Sequence, residues 1–207
     1  MPLPTGTSPD DLVDVATARA WIGLPPLADG ATDPVMQLAI TAVSQRIATW
    51  CSRTFVPTAA TEVYDGVGSA LLCLRRFPII SLDSVVVDGV PAPLIEAGSM
   101  AYGVSHDGRR TLSYRGGEFS RGRQNVLIGY TAGLDPIPAD IGMACLDWLA
   151  AGYLARGRSP DVVERKDGDS SEKYAASSAT VTIRGRTVPM PASVYATLSQ
   201  IQDNVPV

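Results

Sequence analysis

The amino-acid sequence predicts an α+β fold: a small bundle of about four helices with an inserted antiparallel β-hairpin or small-sheet region and an extended C-terminal arm. Three observations lead to this prediction. Apolar residues recur with helical spacing on both sides of a middle region, that region is rich in turn dipeptides and β-branched runs, and a polar stretch precedes the last helical pattern. With 45% hydrophobic and 18% charged residues, the 207-residue chain has the composition of a folded globular protein.

Composition shifts divide the chain into four expected segments. Residues 1–13 form an N-terminal arm, since the first ten residues contain three prolines. Residues 14–156 form the core, which includes the β insertion at about 61–132. Residues 157–173 are polar and rich in glycine, serine and charge, which predicts a flexible linker. Residues 174–207 form a C-terminal arm with one strand and a short helix.

Two helices are predicted before the β insertion. Asp14 is placed to cap a short helix, VATARAWI, which ends at Gly23. Asp33 followed by Pro34 marks the start of a longer helix, because proline is favoured at the first helical position. This helix ends near Cys51, and its apolar stripe consists of Met36, Ile40, Val43, Ile47 and Trp50.

The β insertion is predicted from alternation and turn signals. Two strands, Thr61–Asp65 and Ala70–Leu74, are expected to be joined through the loop DGVG. A β-branched run, Ser84–Asp88, ends at the Asp88-Gly89 pair, which favours a two-residue hairpin turn. Further strands are expected at Ala101–Val104, Thr111–Tyr114 and Gln124–Thr131.

Two helices are predicted after the β insertion. The first runs from about Ala139 to Arg156 and is apolar on most of its circumference, so we expect burial on several sides, partly against a neighbouring subunit. A strand, ATVTIRG, then precedes a final helix within PMPASVYATLSQIQ. That helix is short and marginal by itself, so a partner groove or a neighbouring subunit would bury its stripe. The stripe consists of Val194, Leu198 and Ile201, beside Tyr195.

Charge and cysteine content restrict the functional classes. A formal net charge of −4 argues against a dedicated nucleic-acid-binding protein, which needs a basic surface. The three cysteines lie far apart in apolar runs, which is typical of reduced cysteines in an intracellular chain. The N-terminus lacks the features of a signal peptide, and the longest apolar stretch, residues 141–155, is shorter than a membrane span. We therefore expect synthesis in the cytoplasm, a soluble product and no membrane partner.

No catalytic, metal or cofactor site is predicted. His106 is the only histidine and lies beside a turn, and no two cysteines have zinc-site spacing. One cluster stands out, interleaved with Tyr114 and Phe119. It predicts a loop that touches an acidic protein partner or DNA phosphates, or else a hairpin tip kept soluble by its charge. Its members are Arg109, Arg110, Arg115, Arg121 and Arg123.

Three stretches resemble one known family. They are LRRFPIISLDSVVVDG, the strand end YTAG, and IPADIGMACLDWLA with its Pro-x-Asp-Ile helix entry. In this order and spacing they are similar to head–tail connector (adaptor) proteins of long-tailed bacteriophages and of related prophages or gene transfer agents. The similarity runs from about Asp14 to Ile201.

The resemblance implies a structural protein of the virion neck and no catalytic residues. Such adaptors form a ring, usually of twelve subunits, beneath the portal. They join the portal to stopper, head-completion or tail proteins, and double-stranded DNA passes through the lumen without sequence-specific contact. By this resemblance, the portal is the expected partner of the final helix, through Val194, Tyr195, Leu198 and Ile201.

Two other classes remain open from sequence. An enzyme or enzyme-associated module without a recognisable motif would use turn carboxylates such as Asp65, Asp88 and Asp107. A small nucleic-acid-binding protein would use the cluster from Arg109 to Arg123. Oligomeric state separates the classes, because the connector is a large ring.

Overall fold

The computed structural model of the chain describes residues 8–28, 30–155, 164–167, 170–173, 178–183 and 185–203. The chain divides into two compact units. The helical unit comprises residues 1–52 and 138–205, and the β unit comprises residues 53–137. Helices and small antiparallel sheets together make this an α+β protein, as the sequence predicts.

The helices of the described residues are α1 (Val15–Ile22), α2 (Pro34–Cys51), α3 (Ala139–Ala155) and α4 (Ala192–Asp203). The first two begin where local capping signals place them. The side chain of Asp14 accepts a hydrogen bond from the Thr17 N–H, and Gly23 ends α1 at φ 80°. Asp33 accepts a hydrogen bond from the Met36 N–H at the start of α2. These predicted caps are confirmed.

The helical unit is assembled around α3. This helix contacts α1, α2 and α4, and it buries Cys145, Trp148 and Leu149, which explains its nearly continuous apolar pattern. Residues 8–13 lie against the bundle, because the Leu12 N–H donates to the Ser44 hydroxyl over 3.1 Å. Residues 1–7 of the expected N-terminal arm lie outside the described residues.

Seven strands form the β unit. They are β1 (Thr58–Gly66), β2 (Leu71–Cys73), β3 (Ile79–Val87), β4 (Val90–Pro91), β5 (Gly103–His106), β6 (Thr111–Arg115) and β7 (Gly122–Ala132). A four-stranded sheet has the order β1-β7-β3-β4, and a three-stranded sheet has the order β2-β6-β5. Buried side chains from both sheets form one core, with Tyr130, Phe119 and Leu112 fully enclosed.

The predicted Asp88-Gly89 hairpin turn is confirmed, whereas the two strands joined through DGVG pair with other strands. Asp88 and Gly89 connect β3 to β4 with φ of 51° and 81°, as a type I′ turn requires. In contrast, β1 and β2 do not pair with each other, since β1 pairs with β7 and β2 pairs with β6. The Gly68 N–H instead donates a hydrogen bond to the Phe119 carbonyl, within the segment that connects β1 of one sheet to β2 of the other.

Two further hairpins follow α3. Strands β8 (Glu164–Asp167) and β9 (Ser170–Lys173) pair within the segment predicted as a linker, whose other residues lie outside the described ones. Strands β10 (Ser178–Ile183) and β11 (Arg186–Pro191) pair next. The predicted final helix within PMPASVYATLSQIQ is confirmed, since α4 begins at Ala192 directly after Pro191, but the sequence does not predict the strand β11 before it. Prolines are tolerated there because both strands of a two-stranded hairpin are edges.

Candidate docking surfaces

A loop between β5 and β6 carries the first two arginines of the predicted cluster. The Asp107 carboxylate accepts hydrogen bonds from the N–H groups of Arg109, Arg110 and Thr111 at 2.8, 3.0 and 3.0 Å. Burial alone would raise the pKa of Asp107, but these backbone donors hold it below its ordinary value. Because the carboxylate fixes the loop backbone, the exposed side chains of Arg109 and Arg110 project from a defined position.

Backbone and cation–π contacts join this loop to residues 74–79. Arg110 and Leu74 exchange hydrogen bonds, since each donates an N–H to the carbonyl of the other over 2.9 Å. The Ile79 N–H donates to the Arg109 carbonyl over 3.1 Å. The guanidinium carbons of Arg110 and Arg53 lie 5.2 and 5.9 Å from the Phe77 ring centroid. Three separate stretches of chain therefore bring their arginines to one place.

A buried tyrosine pair fixes the remaining two arginines. The Arg75 N–H donates to the Tyr64 hydroxyl over 3.0 Å, and the Arg76 N–H donates to the Tyr130 hydroxyl over 3.3 Å. The Arg75 guanidinium carbon lies 4.6 Å from the centroid of the Tyr64 ring. Arg76 Nε donates to Glu62 Oε1 over 3.2 Å.

Glu62 is the hub of this network. Both tyrosine hydroxyls donate to its Oε2. Burial by itself would raise the pKa of Glu62, but the two hydroxyl donors and the nearby Arg76 and Arg75 hold it below its ordinary value. Burial, followed by the hydrogen bond to Glu62, raises the pKa of Tyr64. Glu62 is therefore a carboxylate at neutral pH and Tyr64 remains a neutral donor.

We call the resulting patch the arginine surface. It comprises Arg53, Arg75, Arg76, Arg109 and Arg110. Two carboxylates belong to it, and both are already engaged: Glu62 pairs with Arg76 and Asp107 holds the loop backbone. Five guanidinium groups beside two carboxylates leave a local excess of positive charge.

The structure therefore divides the cluster predicted from the sequence. Arg115 lies at the far end of β6, where its Nε donates to the Met100 carbonyl over 3.2 Å. Arg121 and Arg123 lie around the start of β7, where Gly122 pairs with Gly66 at the end of β1. Of the five arginines in the predicted cluster, only Arg109 and Arg110 belong to the arginine surface.

Sequence reasoning missed the other three members. Arg75 and Arg76 form a visible pair before Phe77-Pro78, but a pair alone does not indicate a surface. The pairing of β2 with β6 brings that pair to the β5–β6 loop, and this pairing joins residues about forty positions apart. No local sequence pattern predicts this pairing.

The predicted portal-binding stripe on α4 is partly covered by its own chain. Val194 and Leu198 are buried, and α4 packs against α2, α3, β10 and β11. The expectation that the stripe lacks intramolecular support is therefore corrected for these two residues, because the missed strand β11 and helix α3 supply it. Tyr195 remains 41% exposed, with its ring centroid 6.2 Å from that of Trp50, and Ile201 is half-buried.

The other candidate residues from the sequence analysis form hydrogen bonds that stabilise local structure. His106 accepts a hydrogen bond at Nδ1 from the Gly108 N–H over 3.1 Å. Asp65 accepts one from the Gln124 N–H, and Asp88 accepts one from the Asn125 amide over 2.9 Å. Across the described ranges, histidine, cysteine and carboxylate side chains nowhere gather in threes as a metal site would need. In the same ranges no helix is both long and apolar enough to cross a bilayer.

Comparisons with known structures identify proteins that share this fold. No curated protein matches the chain in sequence. A chain in the virion of a native gene transfer agent particle is 17% identical, with a TM-score of 0.58 over 96% of this chain and 93% of that one. A chain in the neck of an empty gene transfer agent particle, computed with C6 symmetry, is 18% identical, with a TM-score of 0.52 over 97% and 95%. At these identities the similarity shows a shared fold.

A family profile carries the assignment further. The profile described as "Head completion protein" matches residues 11–151, which is more than half of the chain and includes α1, α2, the whole β unit and most of α3. The match confirms the predicted head–tail connector role of a structural virion protein, in place of an enzyme. The chain belongs to the head completion protein family.

Proposed function

We propose that this protein forms a closed ring of twelve copies in the virion neck. The ring sits beneath the portal, joins the head to the stopper or tail proteins, and lets double-stranded DNA pass. The family match over residues 11–151 is the observation that carries this proposal. A chain with a net charge of −4 suits such a passage, because its wall would not retain DNA phosphates.

Exposed apolar side chains on the helical unit support a ring. Trp21, Val35 and Leu38 are 46, 45 and 43% exposed, and Met143 and Leu154 of α3 are 42 and 61% exposed. A large apolar surface rimmed by polar residues marks a protein interface. A ring buries such surfaces by heterologous contacts that close on themselves. Part of α3 therefore faces a neighbouring subunit.

The portal is the proposed partner of the exposed side of α4. Tyr195 and Ile201 are the members of the predicted stripe that keep accessible surface. Tyrosine suits an interface because it combines a large apolar ring with a polar tip. Val194 and Leu198 act indirectly, since they hold the helix on α2 and α3.

Co-assembly with the purified portal tests this function. The full chain should bind the portal as a complete ring, measured as one discrete mass increment. Tyr195→Ala should weaken portal binding about tenfold or more while the chain stays folded, since hot-spot aromatic residues contribute at least 2 kcal/mol. Leu71→Ala, which removes an exposed side chain from the β unit, is the matched control and should bind normally. A wild-type chain that leaves the portal unbound would contradict the proposal.

A further inference from the structure

The part of the helical unit that contains α1, α2 and α3 is opposite in charge to the arginine surface. Residues 8–52 and 138–155 contain seven aspartates and only two basic residues, Arg19 and Arg46. Arg19 is already paired with Asp33. Asp14 and Asp140 lie at the starts of α1 and α3, two helices that contact each other, and the Val13 side chain lies close to Gly142. This arrangement creates an acidic end, whose exposed members are Asp10, Asp14 and Asp140.

The arginine surface is prepared for carboxylate partners. Phe77 supports two of its guanidinium groups and Tyr64 supports a third, so these side chains have already lost part of their freedom. Binding then costs less ordering entropy than it would for mobile side chains. An arginine fork matches the geometry of a carboxylate and can bond to it in a bidentate manner. Five like charges also repel each other, and an acidic partner relieves that repulsion.

We propose that the arginine surface of one copy binds the acidic end of the helical unit of a second copy. Each chain then carries both halves of one head-to-tail interface, which is the arrangement that a closed ring requires. The inference rests on the proposed function, because it assigns the subunit contact of the proposed ring. A protein occupant is favoured over DNA, because the net charge of the whole chain is negative and opposes DNA binding.

Reciprocal charge reversal tests the assignment in the full chain. The reversed chain is Arg75→Glu with Arg109→Glu, since both side chains are exposed and neither forms the ion pair with Glu62. The matched control is Arg115→Glu with Arg121→Glu, which changes the net charge equally outside the arginine surface. The swapped chain adds Asp10→Lys and Asp140→Lys to the reversed chain. Ring assembly on the portal is followed by mass, and folding by circular dichroism.

The reversed chain should need about tenfold or more protein for half-maximal ring assembly, as expected for charges opposed across an interface. The control should assemble as the wild type does, and the swapped chain should regain most of the lost assembly. Arg75→Gln with Arg109→Gln repeats the test if the glutamates disturb folding, and should show a smaller loss in the same direction.

Three results would overturn the inference. Normal assembly of the reversed chain would leave the ring intact without this contact. Loss of assembly that the swapped chain does not recover would assign the surface to another acidic protein of the neck. Normal assembly together with weakened binding of a short double-stranded DNA would make the surface a nucleic-acid contact. A different result, a wild-type chain that forms no ring, would contradict the proposed function itself.

Discussion

The helical unit and the β unit stabilise their interiors with different chemistry. In the helical unit the core is mostly apolar, with Ile40, Ile47 and Leu198 fully enclosed, and its buried polar side chains, Gln37 and Ser44, carry no charge. In the β unit, two tyrosine hydroxyls converge on the Glu62 carboxylate, and they also accept backbone N–H groups from the loop that follows β2. Apolar contacts are not directional, whereas each of these hydrogen bonds requires a particular partner at a particular place.

Because of this difference, the two units should lose stability through different kinds of substitution. The helical unit is sensitive to lost volume, because a cavity in a close-packed core is not filled by relaxation. The β unit is sensitive to single polar atoms, because an unsatisfied buried group retains its full desolvation penalty. The arginine surface depends on that polar network, since Tyr64 and Tyr130 hold the backbone of Arg75 and Arg76.

The largest effect is expected for cavity formation in the helical unit. Leu198→Ala removes a fully buried side chain of α4 and should lower the free energy of unfolding by about 2–5 kcal/mol. Tyr195→Ala on the same helix is the control and should cost no more than about 1.5 kcal/mol, chiefly its ring contact with Trp50. Denaturant titration measures both. Equal small losses would show that α4 contributes no core to this unit.

A smaller effect is expected for one polar atom in the β unit. Tyr130→Phe removes the hydroxyl that donates to Glu62 and accepts the Arg76 N–H, and it should cost about 1–3 kcal/mol without a change in volume. Tyr102→Phe is the control, because its hydroxyl bonds to Tyr114 from a side chain that is 56% exposed. If both variants unfold at the same denaturant concentration, the tyrosine network does not distinguish the β unit.

The caps of the helical unit should contribute less than its core. Asp33→Ala removes the acceptor for the Met36 N–H and the partner of Arg19, and it should cost about 0.5–2 kcal/mol. Gln45→Ala, at an exposed position within α2, is the control and is expected to change stability by less than about 0.5 kcal/mol. A loss as large as that of Leu198→Ala would mean that helix ends, not packing, dominate this unit.

The smallest effect on stability is expected when the pH is lowered. The pKa of Glu62 in the folded chain lies below its ordinary value of 4.5, so its stabilising contribution is complete above pH 4.5. That contribution falls as pH drops through the folded pKa. Its size should be below about 1 kcal/mol, since solvent screens the ion pair with Arg76. Glu62→Gln should flatten the decline of stability below pH 4.5, and an unchanged slope would assign the decline to other carboxylates.

The same contrast explains what could be predicted from the sequence. The helix starts at Asp14 and Asp33 and the turn at Asp88-Gly89 are local signals, and the structure has all three. The pairing of β1 with β7 and of β2 with β6 depends on residues far along the chain, so the sequence predicts these strands and the loop DGVG between them but not their partners.

The candidate docking surfaces follow the same rule. Arg109 and Arg110 could be identified because they are adjacent in a charged loop, but Arg53 joins them only through the Phe77 ring. The burial of Leu198 depends on α3 and on β11, a strand that its two prolines disguise in the sequence. Periodicity indicates which face of α4 is apolar, and the tertiary fold determines what covers it.

A cryo-EM reconstruction of the neck, from particles that contain this protein, would show directly how the copies are arranged. We predict a closed ring of twelve copies beneath the portal, with the β unit of each copy against the helical unit of the next. Density for isolated copies, or for a ring whose subunits meet only through like units, would contradict it.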